Sequence, residues 1–112
     1  MMRPAILLVG LSLAAAPAIV IAGNVDAGKE KSAVCAACHG ADGNSAAPDF
    51  PRLAGQQADY LAKALRDYKT GARKNAIMAP QAANLSAQDI ADLAAYFSAQ
   101  RGLFVKKAGR IE

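Results

Sequence analysis

The chain is poor in the residues from which small domains usually build disulfides and metal sites. Its 112 residues include two cysteines, one histidine and no tryptophan. The cysteines lie three positions apart, so a disulfide between them would close only a trivial loop. A structural zinc site and an iron–sulfur cluster need four ligands of kinds that this composition does not supply. No segment alternates as a half-buried strand does, which argues against a thioredoxin-like redox site and predicts an all-α fold.

What the chain does contain is the pentapeptide Cys35-Ala36-Ala37-Cys38-His39, which uses both cysteines and the single histidine. Two thiols at this spacing add to the vinyl groups of a haem, and the imidazole that follows reaches the iron. The motif therefore predicts one covalently attached c-type haem. Cys35 and Cys38 would be its attachment points and His39 an axial iron ligand.

A second axial ligand has one candidate beyond the first two residues, which is Met78. Met78 lies in a predicted loop, residues 72–85, beside Ile77. A predicted helix separates this loop from the attachment motif, so the loop can fold over the opposite haem face. Thioether ligation opposite histidine is a known arrangement for c-type haems. Two alternatives stay open: a methionine that fills a gap in the core, and an iron that is five-coordinate or binds an exogenous ligand.

The first 22 residues have the pattern of a secretory signal peptide. Arg3 is followed by an apolar stretch, residues 5–13, and then by small residues. Cleavage after Ala22 is preferred to cleavage after Ala18, because polar sequence begins directly behind Ala22. The alternative is an uncleaved anchor that holds the protein at the membrane, since no charge interrupts this stretch after Arg3. In either case we expect residues 23–112 to form a single domain in the periplasm.

Helical periodicity and stop signals predict three main helices in this domain. The first runs from Asp26 to Cys38, and the second runs from Gln56 or Gln57 to Thr70 and stops at Gly71. The third follows a capping box and ends at Gly102. Loops over residues 41–55 and 72–85 connect them.

The predicted domain resembles the class I cytochromes c over nearly its whole length. It is most similar to one haem-bearing half of the dihaem cytochromes of the c-four type. Four segments carry the similarity: Val34–Gly40, Asp42–Ser45, Phe50–Gln56 and Leu93–Phe97. The chain has one haem motif where the c-four proteins have two, so the resemblance implies a single-haem carrier or subunit.

The resemblance also implies a fold and a set of roles. The fold would be the small class I cytochrome c fold, with three main helices and loops around the haem. The Pro51 carbonyl would accept a hydrogen bond from the His39 ring, and Gly28 and Tyr96 would mark the crossing of the first and last helices. A haem pocket would be lined by four apolar side chains, Leu53, Leu61, Leu65 and Phe97.

Two filled axial positions leave the iron no open site for substrate, so we expect an electron carrier rather than an enzyme. The predicted function is to shuttle one electron between redox-partner proteins, as in a respiratory chain. One alternative is a haem subunit of an exported dehydrogenase complex, and another is a ligand-binding haem sensor. No nucleic-acid-binding motif is present.

Positive charge is concentrated in two places along the chain. The first is the end of the second predicted helix and the second is the C-terminus: Lys63, Arg66, Lys69, Arg73 and Lys74, then Arg101, Lys106, Lys107 and Arg110. Such charges can steer an acidic partner. The alternative is a solvated helix face and a frayed tail.

Overall fold

The computed structural model describes Met1, residues 9–17 and residues 21–102. Five helices occur there: α1 (Val25–Lys31), α2 (Ala33–His39), α3 (Ala58–Thr70), α4 (Met78–Ala82) and α5 (Ala87–Ser98). These residues contain no strand, so the predicted all-α class is confirmed. None of these helices has the length and apolarity needed to cross a bilayer. Several residues named above lie outside the described ones: Arg3, residues 5–8, Ala18, Lys106, Lys107 and Arg110.

The single first helix predicted over Asp26–Cys38 is wrong, because the chain bends at Ser32 and forms two helices. The Ser32 hydroxyl donates to the Lys29 carbonyl at 2.7 Å, and a serine bonded back to the preceding turn bends a helix. The start also differs, since Asn24 caps α1 with its side-chain oxygen. The haem motif therefore lies on a short helix of its own.

Three local signals were predicted correctly. Gly40 ends α2 and Gly71 ends α3, with φ of 82° and 81°, values that glycine adopts without strain. At the start of α5, the Ser86 hydroxyl accepts from the Asp89 N–H at 3.0 Å, and the Asp89 carboxylate accepts from the Ser86 N–H at 2.9 Å. The capping box is therefore formed as the sequence indicated.

The end of α5 was predicted wrongly, because the helix stops at Ser98 rather than at Gly102. Gly102 lies beyond the helix, at a position where the chain passes close to Ala54 and Asn44. A Cβ on Gly102 would lie 2.5 Å from the Ala54 Cβ and 2.6 Å from the Asn44 Oδ1. The glycine lets the chain after α5 lie against the loop that follows α2.

The loop predicted over residues 72–85 contains a further short helix, α4. The Asn75 side-chain oxygen accepts from the backbone N–H groups of Ile77 and Met78, each at 2.9 Å. Such a turn satisfies the first N–H groups of a helix that has only five residues. A segment of this length has no measurable period, so the periodicity argument missed it.

The buried core is dominated by α5. Its cluster contains Leu61 from α3 and four α5 residues, Leu93, Ala94, Tyr96 and Phe97. α1 crosses the opposite side of α5 at Gly28, where a Cβ would lie 2.0 Å from the Asp92 carbonyl oxygen and 2.7 Å from the Tyr96 Cβ. The crossing expected at Gly28 and Tyr96 is thus confirmed.

A buried carboxylate ties α1 to α5. Asp92 is 2 % exposed and accepts from the Lys31 ammonium at 2.6 Å and from the Asn24 N–H and the Gln88 amide, each at 2.8 Å. Lys31 also lies 2.9 Å from Asp89. The Lys31 hydrogen bond is the main cause that lowers the pKa of Asp92, so this carboxylate is ionised at neutral pH.

Candidate haem site

Helix α2 places the two thiols one turn apart and the imidazole beside the second. Cys35 and Cys38 are half-buried and unbridged. Burial is the main cause that raises the pKa of the Cys35 thiol, and Cys38 adds to the rise. The thiol is therefore neutral at physiological pH. Two unbridged thiols on one face of a short helix match the requirement for attachment to two vinyl groups.

His39 is buried and its ring is held in one orientation. The side chain is 6 % exposed, and Nδ1 lies 2.8 Å from the Pro51 carbonyl oxygen. A carbonyl can only accept, so Nδ1 carries the proton and Nε2 keeps the lone pair that binds a metal. The Phe50 ring contacts the imidazole edge-on, with centroids 6.4 Å apart. The contact with Pro51 expected from the resemblance is present.

The loop between α2 and α3 brings Pro51 to the histidine. Its first turn closes on Gly43, whose carbonyl accepts from the Leu53 N–H at 2.8 Å. Gly43 has φ of 82°, and a Cβ there would lie 2.8 Å from the Phe97 ring. The buried Ser45 hydroxyl lies 3.3 Å from the Cys38 carbonyl oxygen, which links the loop to the end of α2.

The four predicted pocket residues and the first thiol all belong to, or pack against, one buried apolar cluster. Leu61 and Phe97 belong to the buried cluster, and Leu53 and Leu65 pack against it. Cys35 packs against the same cluster. A flat apolar cofactor joined to Cys35 would therefore meet these side chains. The donor set and the apolar surroundings both fit a covalently attached haem.

The second predicted iron ligand is Met78. It is the first residue of α4, which packs on α3, the helix that carries Leu61 and Leu65. The Met78 side chain is partly buried, but it is not among the side chains that pack against the buried cluster. The two predicted iron ligands therefore come from different helices, His39 from α2 and Met78 from α4, which contacts α3.

Sequence reasoning missed several residues that build the site. Ser45, Phe50 and Asn75 position the loop, the imidazole and α4, as described above. The Tyr96 hydroxyl donates to the Ala41 carbonyl at 2.8 Å, which fixes the start of the same loop. Only Asn75 had a usable signal, since an asparagine a few residues before an apolar segment favours a turn.

Comparison with known proteins gives one family. The sequence model of the family described as Cytochrome c matches residues 25–100. Cytochrome c4 of Pseudomonas aeruginosa is 56% identical over 80 residues, which are 71% of this chain and 40% of that protein. Cytochrome c-554(548) of Halomonas halodenitrificans is 49% identical over 82 residues, 70% of this chain and 99% of that protein.

A third relative is the thiosulfate dehydrogenase electron acceptor of Stutzerimonas stutzeri, which is 47% identical over 79 residues, 70% of this chain and 37% of that protein. Among solved structures, reduced recombinant cytochrome c4 from Pseudomonas stutzeri superposes with a TM-score of 0.70 at 50% identity. The match covers 73% of this chain and 48% of that one. The chain thus spans about two fifths of the curated cytochromes c4 that it matches, which is one haem domain.

Proposed function

Because the chain belongs to the cytochrome c family, and the relatives that it matches are electron carriers with a covalent c-type haem, we propose a more specific role. The protein is a periplasmic single-haem carrier that passes one electron at a time between redox-partner proteins. His39 and Met78 are the residues that would bind its iron. The bound haem supplies one-electron redox chemistry at the iron, and the chain controls its ligation, orientation and exposure to water.

The observation that carries this proposal is the His39–Pro51 hydrogen bond beside the two unbridged thiols. The carbonyl at 2.8 Å keeps a proton on Nδ1, so Nε2 is the ring nitrogen that would bind the iron. The buried ring cannot turn without losing this bond and its contact with Phe50. A ligand held in one orientation changes little between two oxidation states, which suits electron transfer.

The apolar side chains complete the role of the site. Leu53, Leu61, Leu65 and Phe97 belong to or pack against the same buried cluster as Cys35, and their apolar surface would keep water from most of the cofactor. A drier surrounding disfavours the more highly charged ferric state. A neutral Met78 thioether has the same preference, so both features support a raised reduction potential.

The ligation is tested by the absorption spectrum of the ferric protein. Intact Met78 ligation gives a weak charge-transfer band at the red end of the spectrum, and Met78→Ala should abolish it. Ile77→Ala is the matched control, because Ile77 is the exposed neighbour that Asn75 holds in the same turn. Retention of the band in Met78→Ala would exclude Met78 as the ligand.

Carbon monoxide separates the carrier from the ligand-binding sensor. The ferrous wild-type protein should resist carbon monoxide, whereas ferrous Met78→Ala should bind it readily. Rapid binding by the wild-type protein at neutral pH would favour the sensor, because an open iron position is what a gas-binding domain needs.

A second candidate is the acceptor subunit of an exported dehydrogenase. The name of the Stutzerimonas stutzeri relative, a thiosulfate dehydrogenase electron acceptor, favours this possibility. The chemistry at the haem would be the same, but the protein would be held by its donor. Native mass in a periplasmic extract distinguishes the two, since a free shuttle elutes alone and a subunit elutes with its dehydrogenase.

The partner surface we propose is the basic cluster on α3 and the turn after it. Its members Lys63, Arg66, Lys69, Arg73 and Lys74 are all exposed. One member also contacts an aromatic ring, since the Arg73 guanidinium lies 4.9 Å from the centre of the Tyr68 ring. An acidic partner would be steered to this cluster, chiefly through a faster association.

Charge reversal tests this surface. Arg66→Glu and Lys74→Glu should slow reduction by an acidic donor severalfold at low salt, and the difference should fade at 0.5 M salt. Lys29→Glu, which is exposed on α1, is the matched control. An equal loss in the control, or no dependence on salt, would exclude the cluster as the docking surface.

A further inference from the structure

We propose that a second copy of this chain docks in the groove between α3 and α5, and that a two-fold axis relates the two copies. The charges and the shape of this groove carry the proposal, which does not depend on the proposed function. The groove has a volume of about 610 Å³. Its walls are mainly apolar, with Ala58 and Ala62 from α3 and Ile90 and Ala91 from α5 among the residues that line it. Ala58 is exposed, so the groove opens to solvent.

Two opposite charges stand beside the groove on α3. Asp59 and Arg66 both line the groove, and both are exposed. They are about two helical turns apart in the sequence, so they lie on the same face of α3, about 10 Å apart along its axis. In the part of the chain that the structure describes, neither side chain takes part in an ion pair. Both charges are therefore available to a partner.

The two charges are placed so that the groove complements itself. Ala62 lies midway between them in the sequence. Where α3 of one chain crosses α3 of a second chain antiparallel at Ala62, each Asp59 faces Arg66 of the second copy, and the two-fold axis forms this contact twice. The small side chain of Ala62 lets the two helix axes approach to about 8 Å. Lys69 also lines the groove, but in this pairing it lies beyond the start of the second copy's α3.

This pattern of charge favours a second copy over a wholly acidic partner. An acidic helix would be attracted by Arg66 and repelled by Asp59, whereas α3 of a second copy carries both signs at the required spacing. The pairing is also compatible with the basic cluster described above. Three of its members do not line the groove and stay available to an acidic redox partner: Lys63, Arg73 and Lys74.

The contact is small, since each chain contributes one helix and one groove. Interfaces at the small end of the known range bury less than about 1,200 Å² in total, and their complexes are weak and transient. We therefore expect a reversible dimer, which is populated at a protein concentration of about 200 µM and dissociated at about 1 µM.

Sedimentation velocity of the exported holoprotein at these two concentrations and at low salt tests the pairing. Asp59→Arg and Arg66→Asp each make both contacts repulsive, so each should raise the dissociation constant of the dimer about tenfold or more. An equal mixture of the two variants should form dimers again, because every contact between unlike chains then joins opposite charges. The matched control is Lys29→Asp, an exposed position on α1. It changes the net charge as Arg66→Asp does and should sediment like the wild-type protein.

The results separate this surface from any other. A wild-type protein that is monomeric at the higher concentration would overturn the proposal. A mixture that stays monomeric, or a single variant that dimerises as the wild type does, would also overturn it, since the chains would then not meet through this groove. The ferric absorption spectrum of each variant checks that its haem site is intact. Although Arg66 also belongs to the basic cluster, the sedimented mass does not depend on docking to a redox partner, so failure of the proposed function leaves this measurement unaffected.

Discussion

The crossing of α1 over α5 gives a prediction whose magnitude follows from the structure. Gly28→Ala places a methyl carbon 2.0 Å from the Asp92 carbonyl oxygen, where ordinary contact begins at 3.4 Å. The neighbouring atoms belong to the backbone of a helix that also packs on α3, so they cannot simply turn aside. Overpacking of this kind costs about 1–3 kcal/mol.

Helix propensity opposes this effect. Alanine in a helix is favoured over glycine by about 0.5–1 kcal/mol. The free energy of unfolding of the holoprotein should therefore fall by about 1–2 kcal/mol, which lowers the Tm of a domain of this size by about 5–15 °C. Circular dichroism melting of the oxidised holoprotein measures the shift.

The control is Glu30→Ala, which introduces the same residue at an exposed position of α1. Its Tm should stay within about 2 °C of the wild-type value. If Gly28→Ala melted at or above the wild-type temperature, the helix propensity of alanine would outweigh the steric clash with the Asp92 carbonyl. The close approach of α1 to α5 would then not hold the two helices together.

Three other predictions concern single contacts. Tyr96→Phe removes the hydrogen bond to the Ala41 carbonyl and should lower the free energy of unfolding by about 0.5–1.5 kcal/mol in urea titrations. Ser86→Ala removes the cap of α5 and should cost about 1 kcal/mol in the same assay. The Lys31 hydrogen bond is the main cause that lowers the pKa of Asp89 from 3.8 to about 2. Stability should therefore be lost as pH falls from about 4 towards 2.

Each of these has a matched control. Tyr60→Phe changes a tyrosine that is half exposed and should leave stability unchanged, so an equal loss would discount the Tyr96 bond. Ser86→Asp keeps an oxygen at the cap and should restore most of what alanine loses. Lys31→Met should flatten the acid part of the pH–stability curve. An unchanged curve in Lys31→Met would mean that the ion pair does not hold the Asp89 pKa down.

What the sequence could predict was local. Glycine after a periodic segment marked Gly40 and Gly71 as stops, and the spacing of Ser86 and Asp89 marked a capping box. These signals lie within one turn of the structure that they specify, so no knowledge of the rest of the fold is needed. The haem motif belongs to the same class, since its residues are adjacent in the sequence.

What the sequence could not predict depends on contacts between distant residues or on competition within a turn. The bend at Ser32 depends on whether the serine hydroxyl is solvated or bonded to the Lys29 carbonyl. The hydrophobic periodicity of the sequence does not distinguish these two states. At the end of α5 the Phe97 carbonyl accepts from the Gly55 N–H at 2.9 Å, and Gly55 is far away in the chain. The roles of Leu53 and Pro51 came from family resemblance, because nothing in their own neighbourhood indicates what they face.

The composition of the core has a consequence for the life of the protein in the cell. Leu93 is the largest side chain below 2 % exposure in the described residues, and α5 supplies most of the buried cluster. A core this small stabilises the folded chain only weakly until the prosthetic group is bound. Chains that are made in excess of the available porphyrin should be degraded by proteases. The steady-state abundance of the protein should therefore follow the availability of iron and porphyrin more closely than it follows transcription.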